Sequence, residues 1–279
     1  MHISYWEEVK KSTFGKIGIG MITVVVGVAL LAPVIAPHDP WSYMGATLEP
    51  PSSSHFLGLN DTGQDIFSEL IYGTRTTLIT AVSIAIFSTV ISLALGILSA
   101  LKGGMIERFI LRLIDVMLII PVFLIAILAA SFFRPGIILM IILLSVLLWP
   151  PGARIIRMQC LTILQSQHLT AAKNFGASTG YLIYKHLIPD LYPIIAANFI
   201  GVIRRAVFME AGLAFLGVFD PALKSWGLMI HYARDYIFTG AWAWWLLPAG
   251  LAISFTILGF ALVGYALESI LDPRLRRQS

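Results

Sequence analysis

Charge is what this chain of 279 residues has little of: Asp, Glu, Lys and Arg make up only 12% of it, about half the share of a soluble domain. Without that water-facing coat, a soluble globular enzyme, a disordered chain and a nucleic-acid-binding module are excluded. Cysteine is nearly absent too. Cys160 stands alone, so no disulfide forms within the chain and no cysteine-based metal site exists. Six histidines are present, but among His2, His38, His55, His168, His186 and His231 no two stand three or four residues apart, the interval a helical metal-ligand pair needs. Each reads as a surface or interfacial residue, with a site assembled from distant histidines left open. No H-E-x-x-H or G-x-S-x-G occurs, and no lysine completes a G-x-x-x-x-G-K-[ST] phosphate loop. The residues thus predict no catalytic residue, no metal and no cofactor in this chain, and no nucleotide hydrolysis by it.

What fills the chain instead is apolar, 58% of all residues. A bilayer core of about 30 Å needs roughly 20 helical residues. Ile17–Pro37, Thr76–Leu101, Val116–Phe133, Pro135–Ala153 and Tyr236–Leu267 carry no charge and meet or approach that length. Leu191–Phe219 is a sixth candidate although it contains Arg204, Arg205 and Glu210. The expectation is an all-α integral membrane protein with six transmembrane helices. Lys10, Lys11 and Lys16 before the first span resemble the start of a signal peptide. Its apolar core is about twice the usual length of such a region and no clear A-x-A site follows, so it reads as an uncleaved anchor.

Orientation follows from the excess of Lys and Arg on the cytoplasmic side. With the N-terminus inside, the inner segments hold thirteen Lys and Arg and the outer ones four, with Arg204 and Arg205 inside the fifth span. Both termini are then cytoplasmic, and the pI near 9.2 reflects topology rather than a nucleic-acid partner. Trp242, Trp244 and Trp245 fall at the outer end of the last span, where amphipathic rings favour the headgroup layer. Phe132–Gly136 reads as a tight external turn.

Two loops are too large for mere connection. Pro37–Arg75 outside and Arg154–Asp190 inside each run to nearly 40 residues. The outer one is rich in Pro and Ser, with a helix predicted to start near Asp61 or Asp65. The chain divides accordingly into an anchor helix and external loop, residues 1–75, and a five-helix core, residues 76–279, with an inner loop at 154–190. In that inner loop Leu161, Leu164, His168, Ala172 and Phe175 recur at helical spacing. Gly176–Gly180 interrupts, and a short amphipathic stretch Tyr181–Leu187 is predicted to stop at Ile188–Pro189. Ala171, Ala172 and Gly176 leave room for another surface to approach. An amphipathic hairpin lying on the lipid fits the periodicity equally well.

Arg204, Arg205 and Glu210 are costly inside a span, on the order of 3 kcal/mol for a central charge. At about 100° per residue, neither arginine stacks on Glu210, so their partners lie on other helices or another subunit. They are candidates for a translocation pathway; a displaced span with snorkelling arginines is the competing reading.

These segments resemble, nearly end to end, the permease subunits of the oligopeptide, dipeptide and nickel importers of the ABC transporter superfamily, specifically the second permease of the pair. His55-Phe56-Leu57-Gly58, Asp65, Ser68, Tyr72-Gly73, Arg75 and Leu78 are similar to that family's outer-loop pattern. Leu59, Asn60, Gln64 and Glu69 depart from it. Binding-protein-dependent permeases carry E-A-A-x-x-x-G and, nine residues on, I-x-L-P; Thr170-Ala171-Ala172, Gly176 and His186-Leu187-Ile188-Pro189 resemble this, with Thr170 in place of the acid. Glu210-Ala211-Gly212, Phe215-Leu216-Gly217, Ser225-Trp226-Gly227 and Leu271–Arg276 match the peptide-importer branch.

The resemblance implies a cell-membrane importer subunit for peptides or a related solute such as a nickel complex. Its inner loop would be a coupling helix, with Thr170, Ala171, Ala172, Gly176, His186 and Pro189 docking on a separate ATPase. Implied partners are a homologous permease, two ATPase subunits that bind ATP and Mg, and an extracytoplasmic solute-binding protein. The alternative is a secondary transporter or channel that works without an ATPase, though no internal repeat supports it.

Overall fold

The computed structural model describes residues 9–133 and 136–271, with side chains to residue 268. His2, the turn residues Arg134 and Pro135, and the motif residues Asp272 to Arg276 with Arg277 lie outside the described residues. Within them the chain is helical, its single β contact an isolated bridge between Leu59 and Asp65.

A hydroxyl and a carboxylate cap start the first two long helices. Ser12 accepts from the Gly15 amide at 3.4 Å to open α1, Thr13–Ile35. Asp65 accepts from the Ser68 amide at 2.8 Å to open α2, Ile66–Lys102, which Gly103 ends at φ +60. Such caps satisfy amide groups that have no partner within the helix. Next come α3, Gly104–Ile119; α4, Val122–Phe133; and α5, Ile137–Leu164. Two short pieces, α6 Gln167–Asn174 and α7 Thr179–Leu182, precede α8, Ile188–Phe215. The chain then runs through α9, Trp226–Ala233, to α10, Leu246–Leu271.

Five helical segments are long and apolar enough to cross a membrane, or six if α3 and α4 count as one broken span. That last condition corrects the expected third span. Val116–Phe133 is not a straight helix, because α3 and α4 meet at 85° across Ile120 and Pro121. Proline has no amide to donate and disfavours helical geometry before it, and Ile120 is extended at φ −78, ψ 130. The twelve residues of α4 reach about 18 Å, well short of a bilayer core.

Two further boundaries move. The second span starts ten residues before Thr76, because the Asp65 cap admits polar Glu69 and Arg75 into the helix. At the other end, the charge-free run from Tyr236 begins in 3₁₀ turns, Arg234–Thr239 and Ala241–Ala243, and becomes α-helix only at Leu246. Lack of charge marks what tolerates lipid, not what is helical.

α2 runs through the middle of the bundle against α5 and α8, and α1 lies on α10. Where only lipid competes, helices approach through small residues. A Cβ on Gly18 of α1 would meet the Gly259 carbonyl of α10 at 2.8 Å, and one on Gly96 of α2 would meet Ile156 of α5 at 2.8 Å. Ser92 Oγ donates to the Trp149 carbonyl at 2.7 Å, bonding α2 to α5. Outward faces carry exposed Leu30, Val90 and Ile142, an apolar surface suited to hydrocarbon.

Candidate functional site

The segment between α5 and α8 forms a compact knuckle at one end of the bundle. Ser166 caps α6 in extended geometry, and the Thr170 hydroxyl donates back to the Ser166 carbonyl at 3.0 Å. Because α5 ends at Leu164 and the chain turns at Gln165, the five residues expected to form one stripe do not share a face. Leu169 is the buried residue of α6, packed with Ile156, Cys160 and Ile163 of α5 and with Leu187 and Leu191. Phe175, by contrast, is 92% exposed.

α6 ends in a two-bond glycine cap. The Ala177 amide donates to Ala172 O at 3.1 Å and the Gly176 amide to Lys173 O at 3.0 Å, which places Gly176 at φ +82. That left-handed position is what glycine is for at a helix C-terminus. A Cβ there would meet nothing within 4 Å, so the glycine is set by backbone conformation within the chain.

The predicted stop at Ile188–Pro189 does not occur. A π turn, Ile183–Leu187, leads directly into α8, and the Ile188 amide donates to the Ile183 carbonyl five residues back. Pro189 sits in the first turn of α8. The wider turn accommodates a residue that lacks an amide and crowds the preceding turn.

His168 Nε2 lies 3.1 Å from Asp190 Oδ2, tying α6 to the start of α8. The His186 ring is 6.1 Å from that of His168 and edge-on to Tyr181 at 5.7 Å. Thr170, Ala171, Gly176 and Pro189 are exposed, and Ala172 and His186 half-buried. Sequence reasoning missed Leu169 and Asp190, which hold the knuckle, and the exposed Tyr184. Phe175, Tyr181 and Tyr184 give it an aromatic outer surface on a firmly seated base, and exposed apolar patches of this kind mark interaction sites.

At the opposite end lie the residues that depart from the family's outer-loop pattern. Lys224 Nζ donates to Gln64 Oε1 at 2.7 Å and to Glu69 Oε1 at 3.3 Å, and Asn60 Nδ2 donates to Glu69 Oε2 at 3.2 Å. Asn60, Glu69 and Lys224 are all buried. Asn60 Oδ1 accepts from the amides of Thr62 and Gln64, closing a side-chain turn over Asn60–Thr62. Burial pushes the neighbouring Asp61 carboxyl above its usual range, against the pull of Lys224. Beside this network Ser225 caps α9, and Trp226 Nε1 donates to the Leu70 carbonyl at 3.0 Å.

Arg204 and Arg205 do not share the surroundings of Glu210. The arginines line two cavities, one of about 420 Å³ bounded by Met117, Pro150, Pro151, Phe208 and their neighbours, the other of about 400 Å³ with Asn198 and Glu268. Neither arginine forms an ion pair among the described residues; Arg205 Nε donates to the Gly201 carbonyl at 3.3 Å. Glu210 is fully buried on the side of α8 that meets α2, where Thr77 Oγ1 donates to it at 3.4 Å. Glu210 is absent from the walls of the two cavities that the arginines line. Here the Glu210-Ala211-Gly212 and Ser225-Trp226-Gly227 motifs meet, since a Cβ on Gly227 would lie 2.7 Å from the Ala211 carbonyl.

Residues 92–277 match the model of a family described as binding-protein-dependent transport system inner membrane component. The chain is 32% identical over 277 residues to the dipeptide transport system permease protein DppC of Bacillus subtilis, covering 98% of this chain and 85% of that protein. It is 30% identical over 284 residues to the oligopeptide transport system permease protein OppC of the same organism, covering 99% and 92%. It is also 30% identical to the di/tripeptide transport system permease protein DppC of Pseudomonas aeruginosa, covering 98% and 92%. Among solved structures, an inward-facing MetNI methionine ABC transporter superposes with a TM-score of 0.58 at 19% identity, over 76% of this chain and 97% of that one.

Proposed function

This chain belongs to the family of inner membrane components of binding-protein-dependent transport systems, and from that premise we propose that it is one of two permease subunits of an ATP-driven importer of peptides. The names of its relatives support the substrate class; nickel complexes have less behind them. ATP and Mg belong to two separate ATPase subunits, a second permease completes the pathway, and a solute-binding protein delivers cargo to the face bearing residues 36–65. Both termini, and the knuckle between α5 and α8, then lie in the cytoplasm.

The observation that carries this reading is the knuckle itself: a rigid base through Leu169, Leu187 and Leu191, and an aromatic outer surface left exposed among the described residues. In the assembled transporter the ATPase seats on Phe175, Tyr181 and Tyr184, near Thr170, Ala171, Ala172, Gly176 and His186. Movement on ATP binding passes through the His168–Asp190 contact and the Pro189 turn into α8. Arg204 and Arg205, on the cavity walls of that same helix, face the moving pathway, whereas Glu210 holds α8 to its neighbours.

Site-directed crosslinking tests this directly. Cys160 is buried, so Phe175→Cys adds the one accessible thiol among the described residues. In membranes containing the whole transporter it crosslinks to an ATPase subunit, and Gly176→Leu leaves insertion intact but separates ATP hydrolysis from uptake. A Phe175→Cys thiol that reacts only with lipid-soluble reagents and never with a nucleotide-binding protein would refute the assignment.

A further inference from the structure

Three segments far apart in the sequence meet at the foot of α2: His38 just after α1, His55 in the long loop, and Asp65 at the helix cap. One ligand atom from each lies within 4.8 Å of the other two. The two imidazoles face each other with ring centres 4.9 Å apart. His55 Nδ1 lies 2.9 Å from Asp65 Oδ1, and His38 Nε2 lies 3.0 Å from the Ser54 carbonyl. A carbonyl only accepts, so His38 Nε2 carries the proton there and His38 Nδ1 keeps its lone pair. The Asp65 carboxylate likewise accepts from His55 Nδ1, and a cation bound between them displaces that proton.

His38 is thus held by an oxygen on one nitrogen and free to bind through the other, the arrangement that orients histidines at metal centres, while His55 Nδ1 and Asp65 Oδ1 already stand at the spacing of neighbouring ligands. The carboxylate is fixed as well, because Asp65 Oδ2 accepts from the Ser68 amide at 2.8 Å while Ser68 Oγ accepts from the His38 amide at 3.1 Å. Asp65 is fully buried and the histidines half-buried, so an ion enters from the loop surface. We propose that His38, His55 and Asp65 form a binding site for a zinc-type divalent cation that clamps the end of α1 to the start of α2. Two imidazoles and one carboxylate suit such a cation, with water completing a tetrahedron. Metal bonds near 2.0–2.2 Å set ligand atoms about 3.3 Å apart, so binding requires the loop to tighten around His38 while the His55–Asp65 edge scarcely moves.

The test uses the full-length chain, purified in detergent without a histidine tag and titrated with zinc chloride by calorimetry and with cobalt chloride by visible absorption. One ion per chain is expected, with cobalt giving the intense bands of a four-coordinate site and zinc raising the thermal midpoint. His38→Asn leaves the His55–Asp65 contact in place yet should weaken zinc about tenfold or more and abolish the cobalt bands; His55→Gln should do the same, and His231→Asn neither. The proposal is overturned if the unaltered chain shows no saturable one-to-one binding, or if His38→Asn binds zinc as tightly as the unaltered chain does. Because His38→Asn spares the cap of α2, that variant decides the matter even if His55→Gln fails to fold.

Discussion

Around Lys224, buried Asn60 and Glu69 and half-buried Gln64 bond the outer loop and the start of α2 to a loop that lies most of the chain away. The knuckle of residues 165–187 at the other end is held by a few leucines and one exposed contact between His168 and Asp190, and turns its aromatic rings outward. The first region spends its polar groups on fixing its own shape. The second keeps a stable base and leaves its outer surface uncommitted. The proposed function asks for one end held still and force transmitted at the other, and the contrast predicts very different sensitivities to substitution.

The largest effect is expected where a buried charge would lose its partner. Glu69→Ala or Lys224→Ala should cost about 3–5 kcal/mol, seen as a lower thermal midpoint in detergent. The double replacement Glu69→Leu with Lys224→Met should recover most of that loss; single variants costing less than 1 kcal/mol would erase the contrast. Gly176→Ala comes next, at about 1–2 kcal/mol for a left-handed position with a Cβ. That loss should be confined to the knuckle, read as faster amide exchange at Gly176 and Ala177 with an unchanged global midpoint. Smallest is His168→Ala. Both partners of its contact with Asp190 are about half exposed, so the loss should stay below about 1 kcal/mol and appear only as fraying of α6.

Much of the fold was legible because lipid imposes a simple criterion. Charge-free stretches located most of the spans, and Asp65 announced the start of α2 as a cap should. What the criterion could not see was backbone chemistry: Pro121 breaks a run that composition alone makes continuous, while Pro189 is absorbed by a π turn that no periodicity encodes. The knuckle's helix–glycine–helix plan was readable, yet its anchor was not, because a two-residue turn after Leu164 rotates Leu169 rather than Phe175 inward. Asn60, Gln64 and Glu69 looked like mere departures from a pattern until folding supplied Lys224, 155 residues beyond Glu69. His38 and His55 escaped a search keyed to helical spacing because a loop, not a helix, sets them side by side.

The glycine-lined contact of α1 with α10 carries a consequence for biogenesis. A ribosome makes the one helix long before the other, so the anchor must wait in the bilayer, its Gly18 groove filled by lipid tails, until α10 has emerged. Assembly of this subunit therefore finishes by expelling lipid from that seam, and a bulky residue at Gly18 should produce chains that insert fully but never close.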